Sequence, residues 1–587
     1  MLRGIGRGVQ RLGLVIAITG LGFGGANAQS NPTENGSLAP DLKQQAPARA
    51  AAPVPIGSVK SVDACPFGAE GTVTLTKVTV TGATLVTPRE VDAAVAGLLG
   101  HSSDLSVFCT ARDRVAGLFA RKGYRLTRVD IPPQNVKSGQ LELLATEGYV
   151  AGIDADGLLH MGPSADLAKA ILQTLAPHDT KSPAKPLPWS RLERAVLLAR
   201  DIPGADIGVR LHASPAGPGA VDLVASATGR RRFDVSVGVQ DMGSKQLGQV
   251  GGYVRVDANS FTPFGDRTSL LFYGTTTGAQ KVVELLEGGN IGASGLRGEL
   301  DLTYARTEPQ ADLKPLGIAG DFFDIRFDLT YPVIRSQALN VTADVGFDVI
   351  NQRNSLGALR GPAGTPVLFR DKLRVLHAEG SLRWDPETIK AIEFKANVEL
   401  RQGIGALGSS KFGDPNLSRA TGDPAALVER GDATLRWTLG GRPTYDRLGG
   451  PWVQVTGRLQ HAGVSLLAYE QFQIGNYTVA RGFDPGAASG DTAYAVQTEA
   501  GMPIRFSLLN QKLSVEPFAF YDRARIENHA GGYNTTDSSV GGGVRTRLPW
   551  GARLDIYYAD PLTAPIPGAK RPGGRVLVNL TYVHSFK

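Results

Sequence analysis

Cysteine is almost missing from this chain, which has two in 587 residues, together with eight histidines and four methionines. That excludes the disulfide frameworks of small secreted domains and leaves little material for a multi-ligand metal centre. The sequence also lacks a nucleophile–base–orienter set, metal-ligand spacing and a phosphate-cradling loop ending in Gly-Lys-Thr/Ser. The usual grounds for hydrolytic, metal-assisted or nucleotide-driven chemistry are therefore absent, and we expect no enzyme, no catalytic residue, no metal and no cofactor. After the first 28 residues no apolar run approaches 18 residues, which argues against helical membrane spans. The formal charge of +7 is small for this length and does not point to nucleic acid. Glycine (73) and proline (36) are abundant instead, nearly a fifth of the chain against about 12% on average.

The N-terminus carries an address. Arg3, Arg7 and Arg11 precede an apolar stretch from Leu12 to Phe23, followed by Ala26-Asn27-Ala28. This is the pattern of an export signal over residues 1–28, and its apolar part is too short to span a bilayer. In a Gram-negative cell such a chain reaches the periplasm, the outer membrane or the outside. Residues 29–64, rich in Pro, Ala, Gln and Asn, read as a linker with room for one short plug helix from Asp41 to Arg49.

Two small α/β units follow. In residues 65–147 an alternating strand through Val73-Leu75 and Val78-Val80 ends at Gly82. Pro88 opens a helix with Val91, Val95, Leu98 and Leu99 on one face, and a second helix carries Val115, Leu118 and Phe119 and stops at Gly123. Strands are expected over Tyr124–Ile131 and Gln140–Thr146. Residues 148–228 repeat the plan, with strands at Tyr149–Ile153, Ala205–Leu211 and Ala220–Ala225 and helices at Ala165–Leu175 and Ser190–Ala199. Cys65 and Cys109 both fall in the first unit; an oxidising periplasm favours a disulfide between them, two free buried thiols being the alternative.

From 229 to 587 helical periodicity gives way to runs of period two separated by Gly, Pro, Asp and Asn. Examples are Phe233-Val235-Val237-Val239, Leu300-Leu302-Tyr304, Phe323-Ile325-Phe327-Leu329, Leu373-Val375 and Leu554-Ile556-Tyr558. Opposite registers are polar, as in Arg326, Asp328 and Thr330. Divided among 16 strands, the segment allows roughly 22 residues for each strand and its connection, which suits a transmembrane barrel. With an export signal in front and far more strands than one sandwich holds, the expected fold is α+β domains followed by an all-β membrane barrel, apolar side chains outward and polar ones toward a wet lumen. Trp384, Trp437, Trp452 and Trp550 lie at or near strand ends, where an interfacial girdle would place them.

Particular motifs resemble the two-partner secretion outer-membrane transporters of the haemolysin secretion/activation type. Leu126-x-x-Val129-x-Ile131-Pro132-Pro133-Gln134, Gly139 and Glu147-Gly148 resemble that family's first POTRA domain. Leu192-Glu193-Arg194 with Asp201-Ile202-Pro203-Gly204 resembles its second. Tyr331–Ser336 is similar to a family Tyr-Pro-Leu-Ile-Arg-Ser string, and Gln402–Leu407 with Asn416-Leu417-Ser418-Arg419 to a later strand and loop. Arg481-Gly482-Phe483 resembles the core of the sixth extracellular loop, and Phe520-Tyr521-Asp522-Arg523-Ala524 a strand motif that has Gly where Ala524 stands. The final alternation through Tyr582 and Phe586 resembles an outer-membrane assembly signal, with Lys587 added and His584 interrupting its apolar face.

The resemblance implies two periplasmic POTRA domains, a 16-stranded barrel, and the loop arginine Arg481 held against Asp522 on the inner wall, with Gly482 permitting the bend and Phe483 packing on the wall. It implies an outer-membrane translocator that binds the N-terminal secretion domain of an unfolded exoprotein and passes it outward, itself inserted by the barrel assembly machinery. The POTRA sheet edges would bind extended chain by strand addition. An insertase of the same superfamily and a passive porin are the alternatives.

Overall fold

The computed structural model describes residues 65–586 apart from 66, 68–70, 177–184, 363, 387–388, 390, 442–449, 477, 509–510 and 549–550. The expected export signal, the linker with its Asp41–Arg49 helix, and Trp550 lie outside the described residues.

The first module contains β1 (Thr72–Thr74), β2 (Lys77–Thr81), α1 (Pro88–Val95), β3 (Ser102–Asp104), α2 (Val107–Arg121), β4 (Arg128–Asp130) and β5 (Gln140–Thr146). Helix α1 starts where Thr87 and Glu90 form a reciprocal capping box with proline at the first turn, and it buries Val91 and Val95. Helix α2 buries Phe108, Ala111, Val115 and Phe119 along one stripe. Both cover the sheet β2-β5-β4, in which β2 and β5 run parallel. The strand expected from Tyr124 shortens to β4, because Tyr124 N–H still bonds the Phe119 carbonyl (2.9 Å) and Thr127 N–H bonds Tyr124 (3.2 Å). These residues wrap the helix end after the left-handed Gly123 and reach the sheet only at Arg128. Cys65 and Cys109 are joined, with Cα atoms 5.8 Å apart, tying the start of the module to the first turn of α2.

The second module has β6 (Tyr149–Gly157), α3 (Ala165–Gln173), α4 (Trp189–Arg200), β7 (Ala205–Ala213) and β8 (Ala220–Arg230), with sheet order β6-β8-β7. Its core joins Ile171, Leu192, Val196 and Leu223. Strand β8 runs two residues beyond 228, because Gly229 and Arg230 pair with Asp206 and Ala205.

The rest closes into an antiparallel barrel of 16 strands. One strand is interrupted: Thr492–Gly501 and Ile504–Leu508 both pair with Gln511–Glu527, broken at Met502-Pro503, where proline offers no ladder donor. The first strand, Phe233–Gln240, pairs with Asn579–Phe586 of the last, leaving no free edge. Phe233, Val237, Val239, Tyr304, Phe327, Val544, Ile556 and Tyr558 are exposed, while Ser236, Gln240, Asp301, Thr303 and Asp348 are buried on the inner wall. This is the inverse of a soluble protein and the arrangement lipid requires. Tyr582 and Phe586 also lie on the exposed outer face. Among the described residues no helix is long and apolar enough to cross a membrane.

Two expectations about facing need correction. Leu373 and Val375 point into the lumen, where they join an apolar patch with Tyr253, Phe322 and Ile350; Leu376 is the residue that faces out. Trp384 and Trp437 are exposed at the end nearest the second α/β module, but Trp452 is buried, with the Arg436 guanidinium 3.9 Å from its ring centroid. Gly501 makes room for it: a Cβ there would come within 2.6 Å of the indole.

Candidate functional site

The connection from Trp452–Ala462 to Thr492–Gly501 does not project away from the barrel but folds back into it. Within it a short hairpin, Phe472–Ile474 against Ala488–Gly490, aims a tight tip at the inner wall. Gly475 N–H bonds Val479 (2.8 Å), Asn476 N–H bonds Phe483 (3.0 Å), and Phe483 N–H bonds Ala480 (3.0 Å). Ala480 adopts φ +64°, a left-handed conformation uncommon for a non-glycine residue, so the surrounding contacts must hold the tip.

At this tip Arg481 meets Asp522. Arg481 Nε donates to Asp522 Oδ2 (2.9 Å), Nη2 to Oδ1 (2.8 Å), and the Arg481 backbone N–H also to Oδ2 (3.0 Å). Arg481 Nη1 donates to Glu499 Oε2 (2.7 Å). Glu499 in turn accepts from both terminal nitrogens of Arg545, one at 2.9 Å. The Arg481 guanidinium lies 3.7 Å from the Phe520 ring centroid, and that of Arg545 lies 3.8 Å from Phe518. Asp522 is fully buried. A planar fork matched to a carboxylate, backed by an aromatic face, is a rigid clasp. A Cβ on Gly482 would meet Pro561 N at 2.6 Å, so only glycine lets the tip approach the wall this closely. Phe483 is buried in a cluster with Ile474, Val479, Ala524 and Ile526. Ala524, where the resembled motif has glycine, is thus part of the tip's apolar seat.

Sequence reasoning missed Arg545 and the aromatic supports. Phe518 and Phe520 share the Asp522 face by period two, a usable signal. Arg545 comes from the next strand, through the register Glu516↔Arg545, which no local pattern supplies. Further ties hold the loop. Asn476 Nδ2 donates to the Met242 carbonyl (3.1 Å) and Asn476 Oδ1 accepts from the Tyr557 hydroxyl (3.1 Å). Asp484 pairs with Arg575. Arg419 pairs with buried Asp491 and donates to the carbonyls of Leu466 (2.7 Å) and Ala530 (2.6 Å), binding three loops together.

Two motifs far apart in sequence prove to be contact partners. Arg194 Nη1 of α4 donates to the Pro332 carbonyl (2.6 Å), beside a bulge where the register skips Val333. Asp201 takes both Arg335 Nη2 (2.7 Å) and Nε (2.8 Å), and Glu193 Oε1 accepts from Gln337 N–H (2.9 Å). The second module is thereby docked on a turn of the barrel.

One inner-wall group has metal-ligand residue types: His377 Nε2 lies 2.8 Å from Asp328 and 3.6 Å from Asp344. Arg326 stands 3.1 Å from the same nitrogen and 3.0 Å from Asp328, so a fixed cation already holds that position.

Residues 73–148 match the family model of the POTRA domain, ShlB-type, and residues 300–548 match that of the haemolysin secretion/activation protein ShlB/FhaC/HecB. These two segments are of the ShlB type. The matched segment takes in the loop, Arg481 and Asp522 together with Glu499 and Arg545. The chain is also similar to the heme/hemopexin transporter protein HuxB of Haemophilus influenzae. With strain 86-028NP it is 21% identical over 43% of each chain; with strain ATCC 51907 it is 19% identical over 68% of this chain and 67% of the other. The first of these alignments spans less than half the relative's length. Among solved structures, CdiB from Escherichia coli superposes with TM-score 0.69 at 16% identity, covering 94% of this chain and 97% of that one. CdiB from Acinetobacter baumannii gives 0.62 at 15% with the same coverage. BamA from Haemophilus ducreyi lacking POTRA domains 1–3 gives 0.50 at 13%, covering 88% and 100%. At such identities these likenesses concern the fold. The ShlB-type barrel sits in the outer membrane, with its POTRA domains in the periplasm.

Proposed function

We propose that this ShlB-type chain is a two-partner secretion translocator: its POTRA domains bind the N-terminal secretion domain of an unfolded exoprotein, and the chain leaves through the lumen. The observation that carries this is the Arg481-Gly482-Phe483 tip clasped to Asp522 and Glu499 inside the barrel, which places a returning loop in the lumen rather than leaving an open duct. A porin has no use for a docked POTRA module. An insertase that opens laterally is disfavoured by the closing seam, where eight residue pairs join Phe233–Gln240 to Asn579–Phe586. No nucleotide is available in the periplasm; folding of the exoprotein outside removes extended chain from the pore and biases its motion outward.

In this reading the protein is a transporter and not an enzyme, uses no cofactor and binds no nucleic acid. Tyr582 and Phe586, on the lipid-facing side of the last strand, present the signal read by the barrel assembly machinery. The test is secretion of a cognate exoprotein. Arg481→Ala should abolish or strongly reduce export while the barrel still assembles; unchanged export would defeat the proposal.

A further inference from the structure

The lumen is not uniformly polar. Phe322, Ile350, Leu373 and Val375, from three consecutive strands, form one buried apolar patch with Leu271 further round the wall. What covers it is part of the same inward loop. Leu467 packs into the patch, and the Tyr469 ring stacks on Phe322 with centroids 5.5 Å apart and planes 20° apart. A single 3-10 turn, Ala468–Glu470, then directs the next residue to a different chemistry. Glu470 takes Arg401 Nη2 (2.9 Å) and Nε (3.1 Å) on its carboxylate, and Arg430 Nη2 (2.7 Å) as well. Its backbone carbonyl accepts from Gln460 Nε2 (2.9 Å), and Ala468 N–H is bonded to Ser418 Oγ (3.0 Å). Leu467–Glu470 is thus bound to the wall like a short peptide in a site: apolar and aromatic groups on an apolar surface, a carboxylate between two guanidiniums, and main chain read by polar side chains.

A polypeptide crossing this pore must occupy space the loop now fills. Once the segment leaves, the patch faces water, and Arg401 and Arg430 lose one buried carboxylate partner, Arg401 keeping Asp348 (2.8 Å) and Glu399 (3.1 Å); both changes are unfavourable. A passing stretch with the same sequence chemistry removes both costs. We infer that Leu467–Glu470 is a built-in mimic of the transported chain, and that the wall site formed by the Phe322 patch with Arg401 and Arg430 transiently binds exoprotein segments in which an aliphatic and an aromatic residue precede an acid. This deepens the translocator reading and rests on it. The site gives the moving chain a foothold that keeps the pore filled while the loop is displaced, and the loop reclaims it when transport ends.

The test uses the full-length chain in planar bilayers with Tyr469→Ser and Glu470→Gln, which empty the site. Conductance should rise several-fold. Three soluble peptides then serve as probes: Leu-Leu-Ala-Tyr-Glu-Gln, the same with Lys for Glu, and Ser-Ser-Ala-Ser-Glu-Gln. The first should block at a concentration at least tenfold lower than the other two; Phe322→Ser in the same background should erase its advantage over the serine peptide and leave that over the lysine peptide. Equal block by all three, or block by none, overturns the proposal. Heat-modifiable migration checks that each variant is a folded barrel, and Leu467→Ser provides a second way to vacate the site if the double variant does not assemble. Exoprotein export by the unaltered chain is measured in parallel. Lost peptide discrimination with export intact refutes the wall site alone, whereas intact discrimination without any exported partner refutes the translocator reading.

Discussion

Replacing Asp522 by alanine removes three hydrogen bonds that the Arg481 group makes at 2.8–3.0 Å to a fully buried carboxylate. Breaking one partner of a buried ion pair costs about 3–5 kcal/mol, because the remaining charge stays desolvated. Arg481 keeps Glu499 at 2.7 Å and the Phe520 face, so the lower end applies. About 3 kcal/mol shifts the balance between seated and released loop by roughly a hundredfold. The barrel ladder is untouched, since Asp522 pairs through its backbone with Gln497 and Ser539. Asp522→Ala should therefore raise the open-state conductance events and the protease sensitivity of residues 463–491, with unchanged heat-modifiable migration. Arg481→Ala combined with it should add little, because the two act as one clasp. Wild-type conductance and wild-type protease resistance in Asp522→Ala, or additive effects in the double variant, would refute the reasoning.

The Asp201–Arg335 bridge is partly exposed, so Asp201→Ala alone should weaken docking of the second module by only about 1 kcal/mol; adding Arg194→Ala, which frees the bulge carbonyl, should visibly broaden a spin-label distance between α4 and the Arg335 turn. The Cys65–Cys109 bond spans 44 residues, for which the chain-entropy estimate is about 4 kcal/mol; Cys109→Ser should lower the melting of the first module in differential scanning while leaving the barrel transition in place. Glu90 is held down to about 2 by Lys122 and then by the Thr87 backbone and hydroxyl. Its folded value lies below its ordinary one, so its stabilising effect is full above the ordinary glutamate range and is lost as pH falls toward 2. The stability gap between wild type and Glu90→Gln in pH-dependent unfolding should accordingly close on acidification; a gap that widened would show that the cap is not the cause.

Different parts of this architecture were legible to different degrees. Pro88 at the first turn and the apolar stripes of the helices are local, and they marked α1 and α2 directly. The loop tip was legible because Arg481-Gly482-Phe483 and Asp522 each stand in a short string that resembles a known family. The environment completing the clasp was not: Arg545 reaches Glu499 from another strand, and Arg194 finds a carbonyl freed by a bulge more than a hundred residues away. Leu373 and Val375 misled because an apolar alternating pair looks the same whether lipid or a folded-in loop covers it. Trp452 misled for a similar reason, its inward seat depending on Gly501 across the ladder.

By itself the sequence determined that the C-terminal part is a many-stranded sheet with two chemically distinct faces, since side chains alternate along any strand and period two is written in the residue order. Which of those faces carries an apolar island, which cations meet which carboxylates, and how the loop and the second α/β module lock onto the barrel were decided only by the tertiary structure. The register between strands and the path of a returning loop bring together residues whose separation along the chain has no bearing on their distance in space.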